Sequence, residues 1–146
     1  MKLLIINGPN MNMLGIREPE IYGIETYEDL VGFIRRERGE GNELTFVQSN
    51  HEGDIIDEIH QAYYDRFDGI VINAGGYAHT SIAIHDAIKA VGVPTVDVHL
   101  AEPPLREDYR HHSYTGEAAI ATIAGKGFDG YTEAIDLIKE HLSHKK

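Results

Sequence analysis

Asp97 and His99 stand two residues apart in Thr95-Val96-Asp97-Val98-His99-Leu100. On a β-strand that spacing puts both side chains on one face, so the carboxylate can orient the imidazole and leave its other nitrogen for acid–base work. The plainer alternative is a core histidine satisfied by a backbone carbonyl, which the nearby aspartate weakens. A second group lies between Asn7 and Gly23, where Arg17 and Tyr22 sit among Gly8-Pro9, Gly15 and Gly23. This stretch has no period and exceeds the usual βα connection of about 2–6 residues, and loops of that kind often cover active sites. A surface loop with a solvated arginine and a half-buried tyrosine would look the same. The third group is Asn73-Ala74-Gly75-Gly76-Tyr77-Ala78-His79-Thr80-Ser81. Gly75 and Gly76 let a ligand approach the backbone, and the helix start that follows favours a carboxylate or phosphate. A plain turn with Thr80 or Ser81 as N-cap is the commoner reading of such glycines, and His79 reads as a capping partner as well as a ligand.

Other chemistries are excluded by what the chain contains. With no cysteine, there is no thiol nucleophile, iron–sulfur cluster, disulfide scaffold or cysteine-ligated zinc. Nine histidines invite a metal, but none stands in an HExxH or similar spacing, so no metal is expected. Neither GxGxxG nor GxxxxGK[ST] occurs, which argues against dinucleotide and P-loop sites. Asn7 and Asn73 occupy positions where a phospho-acceptor receiver domain needs acidic residues. Thirteen Lys and Arg against 24 Asp and Glu give a net charge of -11, the wrong sign for nucleic acid or an anionic membrane. A small acidic ligand needs only a few local cations and remains compatible. No apolar run approaches the roughly 18 residues of a membrane span. Leu3 to Ile6 is too short for a signal peptide, so the expected compartment is the cytoplasm.

These groups need a frame to hold them. At 42% hydrophobic and 25% charged over 146 residues, the chain reads as one globular domain, residues 1–146. Strands are expected at Lys2–Asn7, Leu44–Gln48, Gly69–Asn73, Pro94–Leu100 and Ala118–Ala124. Helical spacing appears in Tyr27, Leu30, Val31 and Ile34, with Thr26 and Asp29 placed as a capping box. It recurs in Ile55, Ile59, Ala62 and Tyr63, in Ile84, Ala87, Ile88 and Val91, and in Tyr131, Ala134, Ile135, Ile138 and Leu142. Ala101–His112, with Pro103-Pro104, reads as loop plus a short helix, and Lys145-Lys146 as a basic tail. Short strands apolar on both sides and alternating with helices describe a parallel sheet covered on both faces. Five βα units fit an α/β, flavodoxin-like, doubly wound sheet of strand order 2-1-3-4-5. In such a sheet ligands bind beyond the strand C-termini at the switch point between strands 1 and 3. Asn7-Gly8-Pro9-Asn10, Asn73–Gly76 and the residues after His99 all arrive there.

Taken in order, Ile6-Asn7-Gly8-Pro9-Asn10, Leu14-Gly15-Ile16-Arg17-Glu18-Pro19, Tyr22-Gly23, Gln48-Ser49-Asn50-His51-Glu52-Gly53, Asn73–Gly76 with His79-Thr80-Ser81, Val98-His99-Leu100 and Arg106–Tyr114 resemble the type II 3-dehydroquinate dehydratases, from Leu3 to about Leu142. The resemblance implies a cofactor-free hydro-lyase of the shikimate or quinate pathway. Such an enzyme converts 3-dehydroquinate to 3-dehydroshikimate by anti elimination through an enolate. By position, Tyr22 would be the base, with Arg17 favouring its phenolate, and Asn10 would hold a water on the enolate oxygen. His99, oriented by Asp97, would protonate the leaving hydroxyl. Asn73, with backbone N–H groups near Leu100 and Ala101, would take the substrate carboxylate. His79, Arg110 and, from a neighbouring subunit, Asp86 would read the ring hydroxyls. The family's usual Ser and Asn at 101 and 102 are here Ala101 and Glu102, its Glu at 97 is Asp97, and its Arg at 85 is His85. The family also implies a homo-oligomer, a dodecamer of four trimers. Two other readings remain beside it: a non-catalytic module binding a cyclic hydroxy-acid, and a metal-dependent hydrolase using the histidines.

Overall fold

A computed structural model describes residues 1–102 and 106–145. Pro103-Pro104, within the expected loop, and the end of the basic tail at Lys146 lie outside the described residues. Five parallel strands, β1 (Lys2–Asn7), β2 (Glu43–Gln48), β3 (Gly69–Asn73), β4 (Thr95–His99) and β5 (Ala121–Ala124), form one sheet in the order β2-β1-β3-β4-β5. The period of two sorts its side chains into two cores. Leu3, Ile5, Val71, Val96 and Val98 pack with Leu30 and Ile34 of α2 (Tyr27–Arg38) and Ile135 and Ile138 of α6 (Asp129–Ser143). Leu4, Ile6, Ile70 and Ile72 pack on the other face with Ile55 and Ile59 of α3 (Glu52–Tyr64) and Ile84 and Ile88 of α4 (Ile82–Val91).

Helix starts follow local hydrogen bonding. The Asp29 N–H donates to the Thr26 hydroxyl at 3.1 Å and the Thr26 N–H to the Asp29 carboxylate at 2.9 Å, completing the expected capping box of α2. Of the two candidates before α4, Ser81 is the cap, accepting from the Ile84 N–H at 2.9 Å.

Beyond one-residue shifts at the ends of β2 and β4, three details differ from the sequence-based expectation. Strand β5 begins at Ala121, because Ala118 ends a separate five-residue helix, α5 (Tyr114–Ala118), capped by Ser113. The loop from Asn7 to Gly23 is not structureless: it holds a 3₁₀ turn at Met11–Met13 and a single helical turn, α1 (Pro19–Tyr22), too short to show a period. Tyr63 lies on α3 but is 57% exposed, so the buried stripe of that helix is Ile55, Ile59 and Ala62.

The switch point is built by close backbone contact. Asn7 and Asn73 pair in register across β1 and β3, and the Gly8 N–H donates to the Asn73 carbonyl at 2.7 Å. A Cβ on Gly8 would lie 2.4 Å from the Ala74 carbonyl oxygen, so no other residue fits there without moving one loop. Gly75, at φ +61°, is likewise required by Pro9, whose carbonyl would lie 2.9 Å from an added Cβ. Beneath this junction the Tyr131 hydroxyl of α6 donates to Asn7 Oδ1 at 2.5 Å and accepts from Asn73 Nδ2 at 3.1 Å. Asn73 Oδ1 in turn accepts from the Gly75 N–H at 3.2 Å. Burial pushes the Tyr131 hydroxyl far above the ordinary tyrosine range, so it keeps its proton and can donate. Tyr131→Phe retains the ring and removes this link from two buried amides. Urea denaturation is expected to show a loss of about 1–3 kcal/mol. A change within about 0.5 kcal/mol, the range of a neutral surface substitution, would mean the hydroxyl holds nothing together.

Candidate active site

Beyond the C-terminal ends of β1, β3 and β4 the chain leaves a cleft open to solvent. Met11, Arg17, Tyr22, Asn73, Gly75, Gly76, His79, His99, Leu100, Ala101, Arg106 and Arg110 line it. The strand ends deliver Asn73, His99 and the Leu100-Ala101 backbone. The long first loop delivers Met11, Arg17 and Tyr22, and the segment after β4 delivers Arg106 and Arg110. Three guanidinium groups around one cleft make it locally cationic in a chain of net charge -11. A carboxylate ligand is the chemistry that such a cleft favours.

On one side, Tyr22 closes the one-turn helix α1 between Glu18, in the left-handed region at φ 32°, and Gly23 at φ 83°. Arg17 does not stand at the phenol oxygen. Its guanidinium carbon lies 4.4 Å from the centre of the Tyr22 ring, a cation over the π-face. The cation at the oxygen is Arg106, whose Nη1 donates to the Tyr22 hydroxyl. Arg106 also meets Glu18 at 4.0 Å and Glu107 at 3.7 Å. Arg110 donates to Glu107 at 2.9 Å, so one carboxylate steadies both arginines. The sequence offered no spacing by which to prefer Arg106 to Arg17, because the pairing joins positions 84 residues apart.

On the other side, the His99 Nε2 meets Asp97 Oδ2 at 2.8 Å, which leaves Nδ1 for the cleft. Asp97 has no solvent exposure, and its oxygens also accept from Ser113 Oγ at 2.8 Å and Thr115 Oγ1 at 2.9 Å. Nothing local in Ser113-Tyr114-Thr115 marks these two hydroxyls as partners of a carboxylate 16 and 18 residues away. The His79 ring stacks near that of His99, with centroids 5.7 Å apart and planes 24° apart. Its Nδ1 lies 2.7 Å from the His112 carbonyl, so His79 does not serve as the cap of α4.

Several expected residues stand elsewhere. Asn10 is exposed, in the left-handed region at φ 70°, with its N–H on Asn50 Oδ1 at 3.0 Å; it does not line the cleft. Asp86 lies on the outside of α4, where its carboxylate meets His85 Nδ1 at 3.0 Å. Glu102 does not line the cleft either: it leans over Gly125, where a Cβ would meet Glu102 Oε2 at 2.5 Å. Of the two glycines, Gly76 alone has open space at the position of a Cβ. Asn73 lines the cleft with its side chain fixed in one orientation, the carbonyl accepting from the Gly75 N–H and the amide donating to the Tyr131 hydroxyl and the Met11 sulfur. Among the described residues, no group of three or more His, Asp or Glu side chains is placed to hold a metal ion.

The family described as "Dehydroquinase class II" matches residues 1–139. The chain is 49% identical to the 3-dehydroquinate dehydratase of Clostridium perfringens (strain 13) over 146 residues, covering 99% of this chain and all of that one. It is 54% identical to the 3-dehydroquinate dehydratase of Clostridium acetobutylicum over 144 residues, 98% of this chain and 99% of the other. The crystal structure of the type II dehydroquinase from Butyrivibrio crossotus superimposes with a TM-score of 0.93 at 48% identity, covering 95% of this chain and 97% of that one.

Burial lowers the affinity of His79 for a proton. The His112 carbonyl works in the opposite sense, and the neighbouring His99 and Arg110 charges add to the lowering. An NMR titration of the ring is therefore expected to give a midpoint below the ordinary 6.5. The sign for stability follows: the unfolded chain binds this proton more readily, so His79 opposes folding increasingly as pH falls below about 6.5. A His79 midpoint above 6.5 would contradict the burial described here.

Proposed function

Because this chain belongs to the class II dehydroquinase family, we propose that it is a 3-dehydroquinate dehydratase, a hydro-lyase that forms 3-dehydroshikimate. The observation that carries the reading is a tyrosine hydroxyl held by an arginine on one side of a cationic cleft, with a carboxylate-backed imidazole on the other. Binding alone has no use for such an acid–base pair. Dehydration beside a ketone needs both members.

In the proposed reaction Tyr22, as phenolate, takes the proton from C2, next to the C3 ketone, and the bonding pair moves into an enolate. A free tyrosine titrates near 10, so a phenolate at neutral pH needs nearby positive charge. Arg106 at the oxygen and Arg17 on the ring face are the cations placed against Tyr22. The enolate then collapses to expel the C1 hydroxyl, which takes a proton from His99 Nδ1 and leaves as water. Proton and hydroxyl are balanced by two side chains, so the route needs neither a lysine imine nor a redox cofactor. The base comes from α1 in the loop after β1 and the acid from the end of β4, which suits departure from opposite faces of the ring. Asn73 and the backbone at Leu100 and Ala101 take the carboxylate, with Gly75 and Gly76 shaping the approach. His79 and Arg110 meet the ring hydroxyls. Asn10 holds a water for the enolate oxygen once its loop closes on substrate. A cytoplasmic location suits an enzyme acting on a small, water-soluble acid.

The test is direct. Purified protein with 3-dehydroquinate should generate the ultraviolet absorbance of a conjugated enone. Tyr22→Phe, His99→Ala and Arg106→Gln are each expected to lower kcat by at least about 10²-fold. Near-normal turnover in Tyr22→Phe would remove Tyr22 as the base.

The outward position of Asp86 supports a further part of the proposal, that it reaches the substrate bound by a neighbouring subunit in a dodecamer of four trimers. Light scattering should then find a mass near twelve times 16.3 kDa. Asp86→Ala should raise KM in the assembled particle. A fully active monomer would refute this part and leave the chemistry standing.

A further inference from the structure

Both cleft histidines are held from one side by the same short segment. The His112 carbonyl lies 2.7 Å from His79 Nδ1. Ser113 Oγ and Thr115 Oγ1 donate to opposite oxygens of Asp97, at 2.8 and 2.9 Å, and Asp97 Oδ2 holds His99 Nε2 at 2.8 Å. The direction of each bond is fixed by chemistry. A carbonyl only accepts, so His79 carries its hydrogen on Nδ1 and turns Nε2 to the cleft as an acceptor. Ser113 Oγ already accepts from the Gly116 N–H at 3.0 Å as the cap of α5, which aims its one hydrogen at Asp97. Thr115 is fully buried and has the same carboxylate as its acceptor. With both hydroxyls donating to it, the Asp97 carboxylate is left to accept from His99, which therefore carries its hydrogen on Nε2. The fit of the segment is tight: a Cβ at Gly116 would lie 3.0 Å from Asp97 Oδ2 and 2.8 Å from Thr122 Oγ1.

We propose that His112–Thr115 is a positioning strap that sets which nitrogen of each cleft histidine bears hydrogen, with Ser113 and Thr115 acting on His99 through Asp97. The strap gives the two stacked rings complementary tasks. His79 Nε2 accepts a hydrogen bond from a ligand hydroxyl, and His99 Nδ1 faces the cleft with a proton to give when the ring is charged. Ser113 and Thr115 touch no ligand, and their effect is on the orientation and tautomer of the acid. The part of this inference that concerns turnover rests on the proposed dehydratase activity; the tautomers do not.

The experiment has two arms on the full-length protein. In the first, ¹⁵N NMR of the ligand-free protein, at a pH where the rings are neutral, should find His79 protonated on Nδ1 and His99 on Nε2. The opposite tautomer at either ring overturns the proposal, whatever the protein catalyses. In the second, Thr115→Val removes the hydroxyl at constant shape and Thr115→Ser keeps it while deleting the methyl. Thr115→Val should lower kcat for 3-dehydroquinate by about 10-fold or more, as loss of an outer hydrogen-bond partner does elsewhere, with KM within about 2-fold. It should also broaden or erase the His99 Nε2–H signal. Thr115→Ser should restore both. An unchanged kcat in Thr115→Val, or a loss that serine does not rescue, overturns the strap as a positioning device. Should Thr115→Val fail to fold, the wild-type tautomers and the Ser variant still decide. Wild-type protein that fails to dehydrate 3-dehydroquinate yet shows both tautomers would refute the proposed activity and leave the strap in place.

Discussion

Asp97 puts a carboxylate in the middle of a parallel sheet, beyond the reach of water. Isolated buried carboxylates are too costly to persist, so the fold must surround this one with donors. His99 comes two residues later on the same strand, Thr122 lies opposite in register on β5, and Ser113 and Thr115 arrive as the cap and first turn of the short helix α5. The crossover from β4 to β5 is consequently unlike the others. Where the remaining units use a long amphipathic helix, this one uses a five-residue helix that brings hydroxyls and a glycine against the carboxylate. The irregularity of the fold is located where the chemistry is.

Electrostatics at the cleft run against those of the whole chain. The surplus of acidic residues keeps the surface negative, while Arg17, Arg106 and Arg110 converge on a cleft whose walls exclude part of the solvent. Charges focused in this way act at short range and little beyond the Debye length of about 8 Å at physiological salt. Net charge therefore says little about the ligand. The placement of three arginines says more. Glu107 and Glu18, each near Arg106, hold the side chain in place without facing the cleft.

What the sequence could reveal depended on how local the physics was. Apolar runs gave β1 and β3 to the residue, since a strand buried on both faces has few alternatives. The Thr26–Asp29 box and the Asp97–His99 pair were legible because each is a short-range device within one element. Ala118-Ala119-Ile120 reads on as part of β5 because an apolar run this short carries no mark of helix or strand, and the cap at Ser113 decides for a separate helix ending at Ala118. Tyr63 followed the helical spacing yet lies at the edge of the stripe, outside the core. The choice between Arg17 and Arg106 for the Tyr22 oxygen was not legible at all. Both are flexible cations on loops, and which one reaches the hydroxyl is set by the distant parts of the chain that carry them.

The hydrogen bond from Tyr131 to Asn7 joins residues 124 positions apart, and it lies directly beneath the junction of the β1 and β3 loops. On a ribosome adding about 5–20 residues each second, Asn7 is made on the order of ten seconds before its partner. Strands β1 and β3 can meet in that interval, but their terminal amides have no tyrosine to hold them until α6 emerges. The floor of the cleft therefore cannot set until α6 has emerged, and up to that moment the nascent chain carries its site unfinished.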